Sequence, residues 1–115
     1  MKFGEILKEY RNSLNLSVNK LSKLSNVSVG YISKIENGKR KFPSIRTIFL
    51  LLVGFKNSKL SDQTKSIKDI DKEIEGILSE FISAEDSEID SKELEKIYND
   101  FNTFYEDLNN EESEK

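Results

Sequence analysis

The residues with the clearest chemical potential form a basic segment between two predicted helices. Lys39, Arg40 and Lys41 are consecutive cations. Residues 1–60 carry 12 Lys and Arg against 3 Asp and Glu, whereas residues 61–115 carry 6 against 18. The net charge of −3 therefore hides halves of +9 and −12, and the basic half predicts a polyanion partner. Taken alone, such a basic segment is more often a solvated loop than a binding site.

The composition and motifs exclude several other kinds of site. The chain has no Cys and no His, which removes thiol nucleophiles, zinc fingers and the commonest general base. Glu85, Asp86, Glu88 and Asp90 form an acidic cluster, but a calcium loop requires Glu at its twelfth position, where counting from Asp86 gives Ile97. No phosphate loop or nucleophile elbow is present in the sequence. We therefore expect no catalytic residue, no metal site, no cofactor and no enzymatic activity.

The spacing of apolar residues predicts an all-α fold. An amphipathic helix is expected over about residues 3–14, and Ser17 and Ser28 are suitable N-caps for a second and a third helix. Pro43 and Ser44 precede a nearly continuous apolar stretch, which predicts a buried fourth helix. The N-terminus lacks the apolar core of a signal peptide, and the longest apolar run is too short for a bilayer. We therefore expect a soluble, cytoplasmic protein that does not bind membranes.

The polar residues 56–66 indicate a linker, which could include a short helical turn, and after it the pattern changes to two long apolar stripes. Each stripe advances by alternating steps of three and four residues, which is typical of helices that pack along one seam. An intrachain helical hairpin and a dimer interface both fit this pattern, and we favour the dimer because the last helix is rich in aromatic residues. The predicted dimerisation residues are Ile70, Ile74, Ile77, Phe81, Leu94, Ile97, Phe101, Phe104 and Leu108.

Residues 3–55 resemble the Cro/C1-type (XRE) helix-turn-helix family. The segment SVNKLSKLSNVSVGYISKIENGKRKFPS contains two short helices, a tight turn between them and a basic loop after them. Val18 departs from the family pattern, which often has Gln there, and the fifth helix of the family has only a weak counterpart. The matching residues are Arg11, Leu21, Ser22, Asn26, Val27, Ser28, Ile32, Ser33, Ile35, Glu36, Asn37, Gly38, Lys39, Pro43 and Ser44.

The resemblance implies a lambda-repressor-like bundle of four to five helices that places its third helix in the major groove of DNA. Ile32 and Ile35 must face the core, which leaves the other side of this helix to contact bases. Lys34 can donate to guanine, and Val29 can contact a thymine methyl group. A phosphate or solvent role for Lys34, a packing role for Tyr31 and a capping contact for Val29 remain open. The candidate base-contacting residues are Val29, Gly30, Tyr31, Ser33 and Lys34.

Contacts to phosphate are expected to set the register of the protein on the duplex. Arg11 and Glu36 match a pair that is often bonded in the family, so the resemblance implies a structural ion pair between them. The candidate phosphate-contacting residues are Ser17, Val18, Ser28, Asn37, Lys39, Arg40 and Lys41.

The sequence therefore predicts a DNA-binding domain over residues 1–60 and an acidic helical region for dimerisation or interaction over residues 61–115. The expected function is that of a transcriptional regulator of double-stranded DNA, a dimeric repressor that reads an inverted repeat. The alternative is a regulator or antitoxin-like protein whose acidic tail mainly docks a protein partner or antagonist.

Overall fold

A computed structural model describes residues 2–39, 43–62, 64–84 and 90–113 of the chain. This part of the chain contains six α-helices and no strand, so the predicted all-α fold is confirmed. None of these helices is both long enough and apolar enough to cross a membrane, among the residues described. The helices are α1 (Phe3–Ser13), α2 (Val18–Ser25), α3 (Val29–Glu36), α4 (Ile45–Leu60), α5 (Ile67–Ser83) and α6 (Ser91–Ser113).

Serine side chains cap the first turns of four helices. Ser17, Ser28, Ser44 and Ser66 each accept a hydrogen bond from the backbone N–H three residues later, at 3.0–3.3 Å. Asp90 makes the equivalent bond at the start of α6, where its Oδ1 accepts from the Glu93 N–H at 2.8 Å. These bonds satisfy backbone donors that have no partner within the helix, and they fix the start of each element.

Helix α5 belongs to the same core as the helices before it. Phe81 lies 4.5 Å from Phe3 and 6.3 Å from both Tyr10 and Phe55, measured between ring centroids. Burial, helped by a hydrogen bond to Glu80, raises the pKa of Tyr10 to about 12. The first helix predicted for the acidic half therefore packs against α1 and α4 of the same chain. The predicted division at residue 60 marks a change of charge, and the core continues across it.

The segment that the sequence assigned to a linker is partly helical. Helix α4 continues to Leu60, and lysines of its last turns and of the segment after it form ion pairs with α5. The Lys59 Nζ lies 2.6 Å from Glu73 Oε2, and the Lys65 Nζ lies 2.9 Å from Glu73 Oε1. A third pair joins Lys56 to Asp71 at 3.3 Å. Predicting a linker from polar composition was wrong here, because these lysines contact a neighbouring helix.

Helix α6 covers α4 and α5 with aromatic residues. The Phe101 side chain is fully buried, and its ring meets the Phe49 ring edge to face at a centroid distance of 5.6 Å. The Tyr105 hydroxyl donates to Asn57 Oδ1 at 2.6 Å, and the Tyr98 hydroxyl donates to the Asp71 carbonyl oxygen at 3.1 Å. These bonds attach α6 to both preceding helices within one chain.

Candidate nucleic-acid interface

The turn between α2 and α3 is short and internally bonded. Asn26 adopts a left-handed conformation with φ of 65°, which Asn tolerates better than most residues. Its N–H donates to the Ser22 carbonyl oxygen at 2.8 Å, while the Ser25 hydroxyl accepts from the Val27 N–H at 3.2 Å. Val27 is buried below the turn. These contacts set the angle at which α3 leaves α2.

Two glycines allow neighbouring helices to approach the α2–α3 unit closely. A Cβ atom at Gly54 of α4 would lie 2.9 Å from Leu21 Cδ1 and from Ser25 Cβ, and a Cβ at Gly4 of α1 would overlap the Ile35 carbonyl oxygen. Neither glycine was predicted from the sequence to have this role. A glycine within an apolar helical stripe is the signal that could have identified them.

An ion pair connects α1 to the end of α3. Arg11 Nε lies 2.8 Å from Glu36 Oε2, and Arg11 Nη2 lies 2.9 Å from Glu36 Oε1, so the guanidinium group holds both carboxylate oxygens. Arg11 Nη1 also donates to the Leu16 carbonyl oxygen at 2.8 Å. The hydrogen bond to Glu36 raises the pKa of Arg11 above its ordinary value. One guanidinium group therefore joins α1, the turn before α2, and α3.

The candidate base-contacting residues differ in exposure along the outer face of α3. Ile32 and Ile35 are fully buried, whereas Val29, Gly30 and Lys34 are exposed. The other two candidate base-contacting residues, Tyr31 and Ser33, are half-buried at the edges of this face. All five residues therefore border the solvent side of one two-turn helix.

The candidate phosphate-contacting residues differ in what they can offer. Ser17 and Ser28 already accept hydrogen bonds as N-caps, and each hydroxyl retains a proton to donate. Asn37 and Lys39 are exposed just after α3, whereas the Val18 side chain is half-buried against the core. Val18 has only its backbone N–H to donate. Arg40 and Lys41 lie outside the described residues.

The remaining candidate residues are distributed over α5 and α6. Five of the nine predicted dimerisation residues are buried within one chain, namely Ile70, Ile74, Ile77, Phe81 and Phe101. The other four are half-buried, namely Leu94, Ile97, Phe104 and Leu108. The acidic residues Glu85, Asp86 and Glu88 lie outside the described residues. Within the described ranges, no three acidic side chains are placed to hold a metal ion.

A capped α2, a tight turn and a third helix with an exposed polar face define a helix-turn-helix DNA-binding domain. Residues 7–59 match the model of the helix-turn-helix family. The resemblance of this segment to Cro/C1-type helix-turn-helix domains is thereby confirmed.

Two relatives from Bacillus subtilis (strain 168) match a segment of 46 residues at 50% identity. One is described as the uncharacterized HTH-type transcriptional regulator RghRB, and the other as the HTH-type transcriptional repressor RghR. The match covers 40% of this chain but only 33% and 34% of the two relatives. The likeness thus concerns 46 residues of this chain and about a third of each relative.

Proposed function

We propose that the protein is a sequence-specific regulator of transcription that represses by binding double-stranded DNA. The observation that carries this proposal is the outer face of α3, which is exposed while Ile32 and Ile35 anchor the helix. The Arg11–Glu36 pair holds the end of α3, so the face is fixed before DNA arrives. The similarity to a repressor supports the direction of control. Its activity is binding in the cytoplasm, with no reaction and no cofactor.

Base contacts and phosphate contacts are assigned to different residues of this surface. Lys34 is exposed on α3 and donates to a guanine edge, whereas Val29, which is 40% exposed, contacts a thymine methyl group. Ser17, Ser28 and the cations after α3 contact phosphates, which supply affinity without sequence information. This division predicts separate effects on specificity and on overall affinity.

The proposal includes a homodimer that uses α6. The apolar stripe of α5 is buried within one chain. Its residues could contact a second chain only if the two protomers exchanged helices. The half-buried residues Leu94, Ile97, Phe104 and Leu108 on α6 retain apolar surface for self-association. Two α3 helices related by a two-fold axis would then read half-sites about 34 Å apart.

Selection of bound duplexes from a random pool by the full-length protein tests this function. We expect an inverted repeat and an affinity that falls steeply with salt, because phosphate contacts release counterions. Lys34→Ala should relax the sequence preference, whereas Lys39→Ala should weaken binding to all duplexes alike. Binding without any preference at moderate salt would contradict the proposed function, and the reverse pattern in the two variants would contradict the assigned roles.

A second candidate function is supported by the surface of α6. Phe104, Asp107 and Leu108 form a cleft of about 230 Å³ with Arg46 of α4, which offers apolar, cationic and anionic groups to a protein partner or antagonist. Sedimentation of the purified protein separates the two roles of α6. A dimer at micromolar concentration supports self-association, whereas a monomer at all concentrations favours docking of a different protein.

A further inference from the structure

Gly30 occupies the position of α3 that points furthest from the core. Successive residues of an α-helix are about 100° apart around its axis, so the buried Ile32 and Ile35 lie about 200° and 140° from Gly30. The middle of the buried pair is therefore almost opposite Gly30. Ser33 and Lys34 follow one turn later and lie about 60° and 40° to either side of it. The part of the predicted recognition surface furthest from the core is therefore the backbone at Gly30, with the Ser33 and Lys34 side chains on either side of it.

The protein's own packing does not require a glycine at this position. A Cβ atom at Gly30 would meet no heavy atom within 4 Å, in contrast to Gly4 and Gly54, where a Cβ would contact a neighbouring helix. A helical glycine costs up to about 1 kcal/mol relative to Ala. Gly76 of α5 is equally open, so the feature that distinguishes Gly30 is its place at the centre of the outer face of α3, where a side chain would stand between the helix and a bound duplex.

We propose that Gly30 is the point at which α3 approaches the base edges of the major groove most closely, and that its missing side chain is a determinant of sequence specificity. This inference rests on the proposed function. A side chain at this position would lift α3 and move Ser33 and Lys34 away from the bases. In complexes that depend only on phosphate contacts, α3 lies less deeply in the groove. Such complexes would tolerate a side chain at position 30.

The test compares Gly30→Ala with Gly76→Ala, which is a matched control. Gly76 is also exposed in a helix and also has no heavy atom within 4 Å of a Cβ, but it lies on α5. Fluorescence anisotropy would measure the affinity of each variant for the selected duplex and for a scrambled duplex at one salt concentration. Thermal unfolding would verify that both variants are folded, and each should be at least as stable as the wild type.

We expect Gly30→Ala to bind the selected duplex about tenfold more weakly, the size of a single mismatched base contact, and the scrambled duplex nearly as well as the wild type. Gly76→Ala should bind both duplexes as the wild type does. Gly30→Val should weaken specific binding further, because the effect is steric and grows with side-chain volume.

Three results would overturn the inference alone while the wild type prefers its duplex. They are unchanged or tighter specific binding by Gly30→Ala, equal losses for Ala and Val, and an equal loss on the scrambled duplex. Absence of any preference in the wild type would instead overturn the proposed function, and this inference with it.

Discussion

The α2–α3 pair and the α5–α6 pair are both consecutive helices, but they obtain their stability in different ways. Helices α2 and α3 have eight residues each, whereas α5 and α6 have 17 and 23. Isolated helices of eight residues are unstable in water, so the short pair depends on α1 and α4 beneath it. The long pair carries continuous apolar stripes and contributes six buried α5 residues to the core.

This difference explains how one face can be reserved for a ligand. The short helices are held from below by Leu21, Ile32 and Ile35 and from the side by the Arg11–Glu36 pair. Val29, Gly30 and Lys34 on the other side of α3 are therefore left exposed to solvent. In the long pair, aromatic residues of α6 hold that helix against the core. Substitutions in α6 are therefore expected to change stability or self-association more than DNA binding.

The largest expected effect comes from breaking the clamp on the short pair. Glu36→Ala removes the carboxylate that neutralises Arg11, whose side chain is only 11% exposed. Leaving one member of such a pair without its partner costs about 3 kcal/mol or more. We expect a loss of this size in the free energy of unfolding, measured by urea denaturation, together with weaker binding to every duplex.

The control for the clamp replaces both members of the pair. The double variant Arg11→Met with Glu36→Leu has no uncompensated charge, so it should be more stable than Glu36→Ala. A Glu36→Ala protein with wild-type stability would show that the short pair does not depend on this clamp.

The next effect concerns the attachment of the long pair. Phe101→Ala removes a buried ring that contacts Phe49, and loss of a buried Phe costs about 3 kcal/mol when the surroundings cannot collapse. We expect amide hydrogen exchange to become faster in α6 while α1–α5 stay protected, because α6 packs on the outside of α4 and α5. Leu108→Ala, at a half-buried position of the same helix, should have a smaller effect. Equal loss of protection in α3 would show that the two regions unfold together.

The sequence was most informative where local chemistry determines the structure. Ser17 and Ser28 were identified as caps because side-chain oxygens at a helix start satisfy nearby N–H groups. The outer face of α3 followed from the need to bury Ile32 and Ile35. The position of α5 was not predictable, because an apolar stripe looks the same whether its partner is the same chain or a second copy. Lys59 likewise gave no sign that its partner is Glu73, 14 residues later.

A smaller effect is expected from the hydrogen bond that links α6 to α4. Tyr105→Phe removes the hydroxyl that donates to Asn57 Oδ1 at 2.6 Å but keeps the ring that lies under Lys56. A bond of this kind contributes about 1 kcal/mol. A double-mutant cycle with Asn57→Ala, followed by urea denaturation, would measure the coupling. A coupling near zero would indicate that α6 is held by its aromatic packing alone.

The smallest expected effect is a pH dependence of the free energy of unfolding that comes from Glu73 on α5, in the long pair. Hydrogen bonds from Lys59 and then from Lys65 lower the pKa of Glu73 below its ordinary value of 4.5. A carboxylate with a lowered folded pKa stabilises the protein fully above its unfolded pKa, and this contribution is lost as the pH falls through the folded value.

Because the Glu73 side chain is 38% exposed, solvent screens its ion pairs, and we expect them to contribute about 0.5 kcal/mol to the free energy of unfolding. Stability curves of the wild type and of Glu73→Gln should therefore converge as the pH falls below 4.5, whereas the curve of Glu75→Gln, which changes an exposed residue of the same helix, should follow that of the wild type. Curves of Glu73→Gln and wild type that stay parallel through this range would show that α4 and α5 are held together without the ionised carboxylate, by the apolar core that they share.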